Sequence, residues 1–222
     1  MGQPRQERAI QTRGALILAA AEVFDEYGFA GASISRILKR AGVTAGALYF
    51  HFESKEALAK AVMNAQSDTI LPYLESQGLQ RLVDITLIWA RRLQTDPLLR
   101  AGVRLTGEQT TFGLRDSSPY RAWSQIMEEC LRAARDKGEL QAGVEPWELA
   151  QLIVEACTGM QMYAAAETGR ADLSDRVVRM WRLLLPGVAV PTVVARTAVD
   201  PARALAAEEA PAPVGAPGGA TG

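Results

Sequence analysis

Apolar residues recur at helical spacing through almost the whole 222-residue chain, and no segment alternates apolar and polar between turn signals as a strand would. The pattern predicts an all-α protein. A first helix is expected over about residues 8–27, with Ile10, Ile17, Ala20 and Phe24 along one face and Gly28 placed to end it in a left-handed conformation. Ser33 is placed to cap a second helix whose Ile34, Ile37, Leu38 and Ala41 fall at i, i+3, i+4 and i+7. Gly42 supplies a tight turn, Thr44 caps a short third helix to about Phe50, and Ser54 caps a fourth carrying Leu58, Ala61, Val62 and Ala65.

Farther along, Asp96-Pro97, Ser118-Pro119 and Glu145-Pro146 each set a capping oxygen before a proline at a first helical position. Helices are expected near 79–94, 97–106, 119–137, 146–167 and 174–185, with a polar loop over 107–118. The 119–137 segment carries a stripe of Tyr120, Trp123, Met127, Cys130 and Ala134. The 146–167 segment is apolar on more than one side, as expected when one face meets the core and another meets a partner subunit. From about residue 198 the chain turns rich in Ala, Pro and Gly, a composition that buries too little apolar surface to order itself. The domain organisation read from this is a head over 1–53, a body over 54–197 that begins with a connecting helix 54–77, and a disordered tail over 198–222.

The net charge of −1 argues little against nucleic acid once its distribution is read. Residues 1–60 hold eight Lys and Arg against six acids, and the remainder hold 16 against 19, so a mildly basic head precedes a mildly acidic body. Apolar runs fall short of the ~20 residues a bilayer span needs, and the N-terminal residues lead into an amphipathic segment. These features predict a cytoplasmic protein with no membrane association. Catalytic parts are scarce. His51 is the one histidine, and no nucleophile elbow, phosphate-binding glycine loop or metal-ligand spacing occurs, so neither an enzyme nor a cofactor nor a metal is expected. Cys130 and Cys157, set in apolar periodic segments, read as buried free thiols.

Residues 33–52 hold two short helices joined at Gly42, with Val43 and Leu48 available to lock the second against the first. That is the helix-turn-helix pattern, whose second helix enters the major groove, although a generic helical hairpin satisfies the same spacing. Thr44 at the start of the third helix can donate to a phosphate where free backbone N–H groups favour an anion. Tyr49 and His51 each join an apolar body to a polar edge, and Lys55 adds a cation. Ser33 is a further candidate, while Phe50 and Phe52 read as core. For each of the polar residues the competing role is a surface cap or core packing.

The stretch VTAGALYFHFESKEAL resembles the signature of the TetR family of repressors, and the resemblance covers about residues 11–58. The form GALYFHF, with Arg100-Ala-Gly-Val-Arg-Leu105 and Tyr120-Arg-Ala-Trp123, is similar more narrowly to receptors for γ-butyrolactone and related butenolide signals controlling antibiotic production. The resemblance implies a three-helix DNA-binding head, a connecting helix and a helical body that forms a homodimer through its last two long helices. It also implies a palindromic operator, released when a lactone-like effector binds. Carried over by residue, it nominates Ser33, Thr44, Ala45, Gly46, Tyr49, His51 and Lys55 for DNA and Gln66, Trp123 and Thr158 for the effector. The sequence departs from many such receptors at Ala45, where Lys is frequent, so alanine can meet a thymine methyl but cannot hydrogen-bond a guanine. Two other readings are a multidrug-sensing repressor of an efflux gene and a helical protein-binding adaptor.

Overall fold

A computed structural model describes residues 3–71 and 74–209. The described chain is helical: α1 Gln3–Gly31, α2 Ile34–Ala41, α3 Ala45–His51, α4 Lys55–Asn64, α5 Gly78–Thr95, α6 Pro97–Glu108, α7 Ser118–Asp136, α8 Pro146–Thr168, α9 Leu173–Val188, α10 Pro191–Arg196 and α11 Ala202–Glu209. Among the described residues the only β-type pairing is an isolated bridge between Leu140 and Ala189. No described helix is long and apolar enough to cross a membrane.

Two compact units result. The first combines the chain up to Thr69 with Thr95–Pro119, and the second combines Ile70–Gln94 with the chain from Tyr120. The first unit is organised around Leu16, Ala20, Phe24, Ile37, Leu48, Leu58 and Val62, all fully buried, with Ala101 and Leu105 of α6 completing the same cluster. α1 is interrupted at Gly28, whose φ of 67° and ψ of 176° turn the chain toward α2. In the second unit Trp181 is fully buried and its indole donates to Thr86 Oγ1 at 2.7 Å, tying α9 to α5. A buried indole without that partner would cost about 1–3 kcal/mol.

Several expectations are corrected. The connecting helix predicted over 54–77 ends at Asn64, and a 3₁₀ turn Ser67–Thr69 follows. At that end the Gln66 amide donates to the Met63 carbonyl at 2.8 Å, satisfying one of the carbonyls that the stopping helix leaves open. Glu145 makes no side-chain cap for α8, and α7 begins at Ser118 itself, capped by Asp116, whose Oδ1 accepts from the Ser118 N–H at 2.8 Å. Asp96 does cap α6, accepting from the N–H groups of Leu98 and Leu99. The loop expected over 107–118 contains a 3₁₀ turn, Gln109–Phe112. α9 continues past Pro186 to Val188, and at its end Gln141 Nε2 donates to the Pro186 carbonyl at 2.7 Å and the Ala189 carbonyl at 3.1 Å, which have no intrahelical partner once the helix stops.

The tail expected to be disordered from residue 198 is structured as far as Glu209, and residues 210–222 lie outside the described chain. Composition misses the reason, which is a charge buried far away in sequence. Asp84 of α5 accepts from both Nε and Nη2 of Arg203 at 2.7 Å, while Ala198 exchanges two hydrogen bonds with the Gln80 amide.

Candidate nucleic-acid interface

The polar candidates of the head are set by two caps. Ser33 Oγ accepts from the Arg36 N–H at 3.3 Å and starts α2, and Gly42, in the left-handed region with φ 67° and ψ 29°, ends it with its N–H on the Leu38 carbonyl. Thr44 Oγ1 then accepts from the Ala47 N–H at 3.3 Å and starts α3. Its hydroxyl hydrogen stays available to donate outward, beside the backbone N–H groups at that helix start.

α3 has a buried and an open side. Leu48 is fully buried, whereas Thr44, Ala45, Gly46, Tyr49 and Phe50 are exposed. Ala45 and Tyr49, four residues apart, share one face. A Cβ at Gly46 would meet only Thr44 Oγ1, at an ordinary contact distance of 3.9 Å, so an incoming surface can approach the backbone there. Phe50, read as core from the sequence, is corrected: it is 77% exposed, against 57% for Tyr49, and only Phe52 is buried. A helix of seven residues that buries Leu48 and hands the inward role on to Phe52 has no room for a third apolar anchor. Phe50 is therefore the surface residue that sequence reasoning missed, and its signal was the periodicity itself, two positions past Leu48. His51 is half-buried and stands edge-on to Phe50 at 5.0 Å between ring centroids.

The cations differ in how far they are committed. Arg40 pairs with Glu22 at 2.6 Å, and Arg36 donates to the Gly31 carbonyl while lying 4.2 Å from the centroid of the Tyr27 ring. Lys55 turns inward: its ammonium donates to the carbonyls of Phe29 at 2.8 Å and Ala32 at 2.9 Å. Ser33, Thr44, Ala45, Gly46, Tyr49 and His51 thus gather on α2 and α3, and Lys55 is bound from beneath.

The three effector candidates fall in different units. Gln66, 4% exposed, belongs to the first unit, where its amide donates to Met63 O and to Thr106 Oγ1 at 3.2 Å and where Gly102 leaves the space its side chain fills. Trp123 and Thr158 belong to the second unit and are half-buried, and the Thr158 hydroxyl donates to the Val154 carbonyl of its own helix at 2.7 Å. Both cysteines are free and buried, and burial raises their thiol pKa values, that of Cys157 to about 12.

Comparison with known proteins gives two family matches: "Bacterial regulatory proteins, tetR family" over residues 16–62, and "Tetracyclin repressor-like, C-terminal domain" over residues 76–191. The A-factor receptor protein of Streptomyces griseus is 42% identical over 191 residues, spanning 86% of this chain and 68% of its own. The crystal structure of tylp, a tetR regulator from Streptomyces fradiae, is 41% identical with a TM-score of 0.84, covering 91% of this chain and 98% of that one. A gamma-butyrolactone receptor described as ArpA-like is 30% identical with a TM-score of 0.62, covering 91% and 98%.

Proposed function

The chain belongs to the tetR family of bacterial regulatory proteins, and from that premise we propose that it is a cytoplasmic repressor released from a palindromic operator by a γ-butyrolactone or butenolide signal. Regulators of this family bind operator DNA as dimers and answer to a small molecule. The observation that carries the DNA half is the open face of α3, where Thr44, Ala45, Gly46 and Tyr49 stand exposed over a fully buried Leu48. The lactone half is supported by the similarity to a gamma-butyrolactone receptor over 91% of the chain.

Dimerisation in this reading uses Leu152, Met162 and Tyr163 of α8 with Leu183 of α9, large apolar side chains left exposed. A two-fold dimer meets two half-sites about one turn of DNA, roughly 34 Å, apart, so a small change in head spacing loses contacts at both ends. The chain itself carries the coupling. It leaves the second unit after Gln94, runs through α6 in the first unit and re-enters the second at Tyr120, and in this reading that covalent path is the route of coupling. Trp123, three residues past that return, is the residue assigned to the effector, its indole N–H facing a lactone carbonyl and its ring an apolar tail. Thr158 and Gln66 are further effector candidates, Ser33 and His51 complete the set that faces DNA, and Lys55 belongs with them only through the Phe29 and Ala32 carbonyls it holds beneath the two helices.

The test is operator binding on duplexes that the wild-type protein selects from a random pool, followed by challenge with γ-butyrolactones, butenolides and cationic drugs. Release by the lactones alone is expected, and release by the cationic drugs alone favours an efflux-gene repressor. Tyr49→Ala should lose the operator while staying dimeric, and Trp123→Ala should bind the operator but resist release. Wild-type behaviour in either variant removes that residue from its assigned role.

A further inference from the structure

The corner between α1 and α2 is held by groups that arrive from far along the chain. From α6, Arg104 donates through Nη1 to the Asp25 carbonyl at 2.9 Å, and its guanidinium lies against Gly28, where a Cβ would meet Nη2 at 2.6 Å. From α4, the Lys55 ammonium spends two of its three hydrogens on the Phe29 and Ala32 carbonyls and sits 4.2 Å from the centroid of the Phe29 ring. From the 3₁₀ turn after α6, Phe112 stacks on Phe29 with centroids 3.9 Å apart and planes 20° from parallel.

Gly28 breaks the helical dihedrals here, so the direction in which α2 and then α3 leave α1 depends on what grips residues 25–32. Two of the three grips belong to α6 or to the turn that follows it. We propose that Lys55, Arg104 and Phe112 are positioning residues that transmit the placement of α6 to the recognition helix through this corner, with Lys55 serving operator binding from inside the protein and not as a phosphate contact. Without Lys55, two carbonyls at the end of α1 lose their partner and the Phe29 ring loses its cation. Motion of α6 carries Arg104 and Phe112 with it and so loads the same corner.

This inference rests on the operator-binding reading, and the experiment separates the two. Operator affinity is measured as a function of salt for Lys55→Met, Arg104→Met and Phe112→Leu on the duplex the wild type selects. Each phosphate contact contributes about 0.9 to the slope of log affinity against log salt. All three variants are expected to bind at least about tenfold more weakly with the wild-type slope, because the contacts they spoil are internal. A slope smaller by about one in Lys55→Met overturns the assignment, since it makes Lys55 a phosphate ligand. Wild-type affinity in both Arg104→Met and Phe112→Leu overturns it as well. A second measurement needs no DNA: amide hydrogen exchange over residues 33–52 is expected to quicken about tenfold in each variant while α8 keeps its protection, and unchanged rates overturn the inference. If the wild type selects no duplex, the operator reading fails on its own and the exchange rates still decide the corner.

Discussion

Arg100 donates through Nε and Nη2 to the Asp25 carboxylate, with Nη2 at 2.7 Å and Nε at 2.9 Å from the same Oδ2, joining α6 to the last regular turn of α1. Both side chains are only about a quarter exposed, so the pair escapes most of the screening that weakens surface bridges. Charge-assisted bonds of this kind contribute about 1.5–3 kcal/mol. Asp25→Asn should lower stability by roughly 1–2 kcal/mol on that basis, and Arg100→Lys should fare little better because a point charge cannot make the two-pronged contact. Urea unfolding checks this, and an unchanged midpoint in both variants would show that the fork adds nothing.

Arg203 performs the comparable service in the second unit. It meets Asp84 with two 2.7 Å bonds, and the Asp84 side chain is 8% exposed, so removing the guanidinium leaves a buried carboxylate held by the neutral donors Ser76 and Gln80. Breaking a fully buried pair costs about 3–5 kcal/mol, and since Arg203 is itself partly exposed the expected loss in Arg203→Met is about 2 kcal/mol. Proteolysis should also begin to cut after residue 197 in that variant. Equal melting and equal resistance to protease would mean that α11 is not held by this contact.

These two pairs mark the boundary of what the sequence reveals. Helix positions were legible because the apolar period and the caps at Ser33, Thr44, Ser54 and Asp96 are local signals, and those four caps are made as expected. Family membership was legible because VTAGALYFHFESKEAL is contiguous. Asp25 with Arg100 and Asp84 with Arg203 lie 75 and 119 positions apart, beyond the reach of any spacing rule. The inward turn of Lys55 was hidden for the same reason, its partners lying 26 and 23 residues upstream. Composition likewise misjudged α11, because an alanine-rich segment orders itself when one of its side chains satisfies a charge elsewhere.

Cys157 gives a prediction in pH. Burial raises its thiol from an ordinary value of 9.0 to about 12, so the folded protein holds the neutral thiol where the unfolded chain would already ionise. The stabilisation is fully present below pH 9 and is lost as pH rises toward 12, since the unfolded state then gains by releasing the proton. Alkylation follows the thiolate, so at pH 8 Cys157 should resist iodoacetamide until denaturant unfolds the chain. Rapid labelling of the native protein would contradict its burial.

The neighbouring residues Phe50 and Phe52 differ most sharply in what a polar substitution should do. Phe52 is 5% exposed, lies under the guanidinium of Arg13 and ends α3, so Phe52→Ser should cost about 3 kcal/mol or more and lose operator binding through unfolding. Phe50 is 77% exposed, and Phe50→Ser should change stability by no more than about 0.5 kcal/mol. Yet Phe50 stands beside Tyr49 on the open side of α3, where an aromatic ring can meet a thymine methyl or a sugar, and Ala45 leaves the helix poor in other base-reading groups. Operator affinity in Phe50→Ser is therefore expected to fall about tenfold with the melting curve unmoved, each base-edge contact being worth about 1–3 kcal/mol. Affinity equal to wild type on the selected duplex would leave Phe50 as an exposed ring with no part in binding, and loss of affinity together with loss of stability would return it to the core.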